Sequence, residues 1–148
     1  MNELLARLTG RPVEDHTQHN DSFPFPLSRK FYADFTHENL MVAVYSAMGL
    51  FNITNHPLHT TKMDKDRNWV ASEMVPFSSR MVVEKLSCSG RRQEVKEDVE
   101  FVRVLVNDAL QPLRFCGAKQ GLCTLDAFVE SQKYARHSGD GDFAKCYS

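Results

Sequence analysis

The run Phe31-Tyr32-Ala33-Asp34-Phe35-Thr36-His37-Glu38-Asn39 carries the reading of this chain. Phe31, Ala33 and Phe35 alternate with polar residues, the period of a strand over 31–35, and the apolar positions from residue 40 onward change to the helical period. A strand feeding a helix defines an α/β corner, where the first helical N–H groups and the helix dipole favour anions. Thr36 is positioned as N-cap of that helix. At the corner His37 can hold a negative group, and the adjacent Glu38 can give or take a proton. Taken alone, the pair reads more readily as polar residues at a helix start.

Working outward, the helix predicted over 38–51 places Leu40, Met41, Val44, Tyr45, Met48 and Phe51 on the helical period, with Ala43, Ser46, Ala47 and Gly49 as small packing residues. Before the corner, residues 2–9 read as the tail of a helix: Leu4, Leu5 and Leu8 share a face, and Gly10 and Pro12 stop it. Residues 11–28 form a polar loop anchored by Phe23 and Phe25. Beyond the helix, 52–68 is polar loop and 69–88 is largely extended. Residues 89–98 form a charged surface loop, in which Arg91 and Arg92 are balanced by Glu94, Glu97 and Asp98. Residues 101–115 read as a hairpin: Val102, Val104 and Val106 alternate, Asn107-Asp108 turns, and Leu110, Leu113 and Phe115 return. A last amphipathic helix spans 125–136, with Thr124 as N-cap and Gly139 just past its end. Trp69 is assigned to the core, Arg103 to a strand surface, and His16, His19, His56 and His59 to exposed loops.

The bulk properties exclude several classes. With 148 residues, 42% hydrophobic and 25% charged, the chain has ordinary globular composition and the length of one domain. A net charge of −1 gives no electrostatic footprint for nucleic acid. No run of roughly 18 apolar residues exists, so no membrane span is predicted. The start, Met1-Asn2-Glu3-Leu4-Leu5, has no basic region followed by an apolar run and is not a secretory signal. Two features nevertheless point to an oxidising, secretory context. Asn52-Ile53-Thr54 and Asn20-Asp21-Ser22 fit the N-glycosylation pattern. The four cysteines, Cys88, Cys116, Cys123 and Cys146, match no zinc-ligand spacing, and Cys116 and Cys123 bracket a glycine-containing loop short enough to close. Disulfides are therefore favoured, and such a bridge would stabilise by about 2–3 kcal/mol. No cofactor and no metal are implied.

With these motifs in view, the chain closely resembles the C-terminal part of the histidine acid phosphatase family, the fungal phytases in particular. The matching segments are Asn2 to Thr9, Tyr32 to Asn39, Trp69-Val70-Ala71-Ser72 with Val75-Pro76-Phe77, Val102 to Asp108, and the cysteines at 116, 123 and 146. They run collinearly through essentially the whole chain. The resemblance implies an α/β fold that is the C-terminal portion of a histidine-phosphatase-type domain, parts of a mixed sheet with flanking helices, over residues 1–148. It implies a phosphoric monoester hydrolase acting on phytate or other phosphomonoesters at acidic pH, secreted as a longer parent. In the family a histidine of an Arg-His-Gly-x-Arg-x-Pro motif attacks phosphorus, and a His-Asp pair completes the site. The histidine of that pair binds phosphate, and the aspartate protonates the leaving alcohol.

Carried onto this sequence, His37 takes the phosphate-binding place, Glu38 takes the proton-donor place, and Asn39 is either a further substrate contact or a structural residue at the helix start. A carboxyl beside a bound phosphate is expected to hold its proton above the reference of about 4.3. Three departures accompany the match. None of the six histidines lies in Arg-His-Gly-x-Arg-x-Pro; Arg136-His137-Ser138-Gly139 is an ordinary helix stop. Glu38 replaces the commoner aspartate. Only Cys116–Cys123 is internal to the chain, because the family's partners of Cys88 and Cys146 lie upstream. The resulting expectation is a fragment carrying the proton-donor half of a site, inactive without the missing N-terminal segment of the same enzyme. The alternative is a non-catalytic remnant or phosphate-binding module.

Overall fold

The computed structural model describes residues 1–12, 26–52, 59–89, 98–118 and 120–147. The expected loop anchors Phe23 and Phe25, the histidines 16, 19 and 56, the sequon residue Asn20, and Arg91, Arg92, Glu94 and Glu97 lie outside these residues. The described part is a mixed α/β arrangement, an antiparallel sheet with flanking helices.

Helix α1 (Asn2–Thr9) buries Leu5, Ala6 and Leu8 and ends at Gly10, whose φ of 67° is the left-handed stop the sequence announces. Helix α2 (Glu38–Met48) is shorter than the apolar pattern predicts. It stops where Gly49 turns to φ 87°, letting the Leu50 N–H return to the Tyr45 carbonyl at 2.9 Å and dropping the buried Leu50 onto the core. Tyr45 and Met48 are buried, whereas Leu40 at the other end is exposed. The stretch expected to be extended is interrupted by one helical turn, α3 (Ala71–Met74), which plugs the fully enclosed Met74 into the core. Trp69 packs, half-buried, against the same core.

The sheet is built on β1 (Met81–Ser89) and β2 (Asp98–Val106), antiparallel along their full lengths from Met81↔Val106 to Ser89↔Asp98. Val102, Val104 and Val106 all face inward and are buried, as their alternation requires. Arg103 is on the opposite face, paired with Glu84 across the strands. The other edge of β2 takes two short strands, β3 (Ala109–Leu110) and β4 (Cys123–Thr124). The hairpin turn falls at Asn107-Asp108 as predicted, both residues having positive φ (49° and 66°). Its return arm is much shorter than expected. Pro112 has no N–H to offer the ladder; the chain leaves the sheet there, buries Leu113 and makes a 3₁₀ turn at Arg114–Cys116.

Asn107 locks this corner to the rest of the molecule. Its Oδ1 accepts the Arg80 N–H at 3.0 Å, and its Nδ2 donates to the carbonyls of Glu73 and Met74 at 2.7 and 3.2 Å. One side chain therefore joins the β2–β3 turn, the entry to β1 and the end of α3. Asn107→Ala is expected to lower unfolding stability by about 1–3 kcal/mol, measured by urea denaturation. Asn107→Gly, which relieves the backbone strain but restores no hydrogen bond, is expected to recover only part of that loss.

Helix α4 (Leu125–Ser131) is capped by Thr124, whose hydroxyl accepts the Ala127 N–H at 3.3 Å. The single helix expected over 125–136 is broken at Gln132, and α5 (Lys133–Arg136) follows as a separate turn. The break has a visible cause: Gln132 is buried and points inward to donate to the Met48 carbonyl at the end of α2, at 3.2 Å. Cys116 and Cys123 form a disulfide across the segment between the 3₁₀ turn and β4. Cys88 and Cys146 are exposed thiols, and not bonded to each other.

The segment 31–35 is the main correction. It forms no strand, and Phe31 and Phe35 are 83% and 97% exposed. Alternation gives a segment two distinct faces, but a strand exists only through a paired edge, and none of the four described strands runs beside it.

Candidate active-site corner

The residues singled out at the start, His37, Glu38 and Asn39, are contiguous at the N-terminus of α2 and all exposed. The N-cap is His37, in extended backbone (φ −112°, ψ 165°), and not Thr36 as the sequence suggests. Its carbonyl accepts the Met41 N–H at 3.1 Å, while its imidazole makes no capping bond. Glu38 is the first helical residue, so its carboxyl rises from the first turn. Asn39 turns its Oδ1 onto the Leu40 N–H at 2.7 Å, which ties that side chain to the helix start and supports its structural role there.

An exposed imidazole, an exposed carboxyl and a helix N-terminus thus meet on one open corner. The positive end of the helix favours an anion there, His37 stands beside it as a donor, and Glu38 follows in the first turn. A hollow of about 350 Å³ lies elsewhere, lined by residues 59–64 and Arg67, and includes neither His37 nor Glu38. The stretch 62–67, within the expected polar loop, is a mostly exposed turn beside that hollow, with Arg67 donating to the Asp64 carbonyl at 2.8 Å. His59 is exposed, as expected. His137 also stands at a helix end, 3.8 Å from an Asp140 oxygen, in the role of an ordinary helix stop. No group of His, Cys, Asp and Glu among the described residues is arranged to hold a metal ion.

The surroundings of the corner contain one feature that sequence reasoning missed. Asp34, just ahead of His37, is bound by Arg7 of α1, and Arg7 also lies over the Tyr32 ring, 4.9 Å from its centroid. No local pattern announces a contact across 27 residues of chain. The only sequence signal is that both partners fall inside segments matched to the family.

Residues 1–107, which contain α1, the corner, α2, β1 and β2, match the sequence model of the histidine phosphatase superfamily (branch 2). The chain belongs to that superfamily. Among curated relatives, Phytase A of Emericella nidulans is 45% identical over 94% of this chain. Phytase A of Arthroderma benhamiae is 43% identical over 96% of it, and Phytase A of Aspergillus oryzae 39% over 99%. The chain spans about a third of the length of these relatives, 30% of the first and 32% of the other two.

Proposed function

We propose that this chain supplies the proton-donor side of a phosphomonoester hydrolase of the phytase type, with phytate or a similar phosphate ester as substrate. The supporting observation is the exposed His37-Glu38 pair at the N-terminus of α2, in a chain of the histidine phosphatase superfamily. In this reading the His37 imidazole holds the anionic phosphoryl group. Asn39 is a secondary contact. The Glu38 carboxyl gives its proton to the departing alkoxide oxygen as the P–O bond breaks, and is left as carboxylate. A positioned general acid contributes about 10²–10⁴-fold to such a step, because an alkoxide is a poor leaving group.

The covalent nucleophile is not in this sequence, so the remaining site comes from a further polypeptide segment. Residues 1–148 are then the C-terminal portion of the catalytic domain. The exposed Phe31, Phe35 and Leu40 around the corner are the surface that segment covers. The same reading makes the parent a secreted glycoprotein, supported by the Cys116–Cys123 disulfide and by exposed Asn52 at the head of its sequon. Cys88 and Cys146 then find partners in the further segment.

The test is reconstitution. Purified 1–148 is expected to release no inorganic phosphate from phytate at about pH 5. A chimera, in which 1–148 replaces the matching segment of Emericella nidulans Phytase A, is expected to release it. Loss of that release in the His37→Ala chimera supports the assignment; a fully active His37→Ala chimera overturns it. Phosphate binding by 1–148, together with an inactive but folded chimera, would instead favour a non-catalytic binding module.

A further inference from the structure

Arg7 is a charged residue in an unusual position: its side chain is only 14% exposed, on a helix already docked by other means. The buried Leu5 and Leu8 hold α1 to the core, so the guanidinium is not needed for that packing. It is committed instead to the run that leads into α2. Nη1 and Nη2 donate to the two carboxylate oxygens of Asp34, the Nη2–Oδ1 distance being 3.0 Å. Nη2 also reaches Glu3 one turn back on α1. The Tyr32 ring lies under the guanidinium, and the Tyr32 hydroxyl donates to the Pro26 carbonyl at 2.7 Å. Tyr32 is also the one side chain from residue 31 to 40 that is not exposed.

We propose that Arg7 is a positioning residue for the reaction at the corner: its two-pronged grip on Asp34 and its stacking on Tyr32 fix the run 32–37 and thereby set where the His37 imidazole and the Glu38 carboxyl stand. The proposal rests on the half-site reading given above. Its physical basis is geometric. A two-pronged guanidinium–carboxylate contact specifies direction as well as distance, and stacking on an aromatic ring fixes the plane of the fork. Because the Asp34 side chain is 68% exposed, the pair adds little to global stability, so its effect is on orientation. Orientation matters here, since a misplacement near 1 Å can cost about 10²-fold in rate.

Among the described residues, the groups facing Asp34 are Arg7 and, beyond it, Glu3 and Tyr32. The hydrogen bond from Arg7 holds the Asp34 carboxyl below its ordinary value, against a smaller opposing effect of burial. A lowered carboxylate keeps its contribution above the unfolded value of about 3.9 and loses it as pH falls through the folded one. The grip therefore persists at the mildly acidic pH where a carboxyl donor is useful, and is released below it.

The experiment uses ¹⁵N-labelled 1–148, with inorganic phosphate as probe. In the native chain, heteronuclear NOE values for 32–37 are expected to match those of α2, and phosphate is expected to shift the His37 ring signals. In Arg7→Ala and Asp34→Asn, the NOE is expected to fall in that run alone, and phosphate affinity to weaken about tenfold through lost preorganisation. Melting temperature should stay within about 4 °C. Arg7→Lys, which keeps the charge without the fork, should restore part of the affinity. Acidification should loosen the run in the native chain but not in Asp34→Asn. Unchanged order or unchanged phosphate affinity in both variants overturns the proposal and leaves the half-site reading standing. A native His37 that ignores phosphate overturns the half-site reading, and the positioning role with it.

Discussion

Phe128→Ala is expected to destabilise the described fold by about 3–5 kcal/mol, the range for removing a fully buried aromatic side chain. Phe128 is completely enclosed on α4 and belongs to the cluster that includes Leu5, Tyr45, Val102, Val104 and Leu113. These residues come from α1, α2, β2 and the stretch before the 3₁₀ turn, so this ring is where elements remote in sequence converge. Its neighbour Phe115 meets it with ring centroids 6.1 Å apart at 55°, a tilted aromatic contact that adds to the area buried. Truncation leaves a cavity that the surrounding backbone cannot fill, since α4 is fixed by the Thr124 cap and by the disulfide at Cys123. Against a typical total of about 5–15 kcal/mol, that loss is a large share of stability. Urea denaturation followed by circular dichroism measures it. Phe128→Leu, which keeps most of the volume, is expected to lose well under half as much. Equal losses in the two variants would mean that the site is not close-packed, contrary to its complete burial.

Some of the physical signals in this chain are local, and others depend on distant partners. The alternation of Val102, Val104 and Val106 placed β2 correctly because burial on one face of a strand is written into every second residue. Gly10 and Thr124 likewise marked helix ends through their own conformational and hydrogen-bonding preferences. The run 31–35 has an equally clear alternation, yet Phe31 and Phe35 face solvent, because a strand depends on an edge that its own residues do not encode. Leu113 and Phe115 were legible as apolar but not as residues that leave the sheet, a consequence of Pro112 acting on the ladder. Gln132 breaks the last helix for the sake of a carbonyl on α2, and Arg7 reaches Asp34 from α1; both are distant partnerships. The candidate site divides the same way. His37 and Glu38 at a helix start were visible from residue type and period, whereas the guanidinium that holds their approach was not.

The largest catalytic effect is expected at Glu38. In the chimera with Emericella nidulans Phytase A, Glu38→Gln should lower kcat on phytate by about 10²–10⁴-fold, because glutamine matches the shape of the acid but has no proton to give. The choice of substrate makes the test specific. An inositol alkoxide is a strongly basic leaving group and needs protonation as it departs. p-Nitrophenolate is a weak base and departs with little assistance. The loss on p-nitrophenyl phosphate should therefore be much smaller than on phytate, and KM should change little on either, since an interaction made only in the transition state appears in kcat. His37→Ala should behave differently, weakening both substrates alike through lost phosphate binding. Glu38→Asp completes the set. The family's usual donor is one methylene shorter, so aspartate should retain or raise turnover in the chimera. The glutamate, starting in the first turn of α2 with an exposed side chain, has room to adjust its reach toward a leaving oxygen. Equal losses for Glu38→Gln on both substrates would remove the general-acid role and leave Glu38 as an electrostatic neighbour of the bound phosphate.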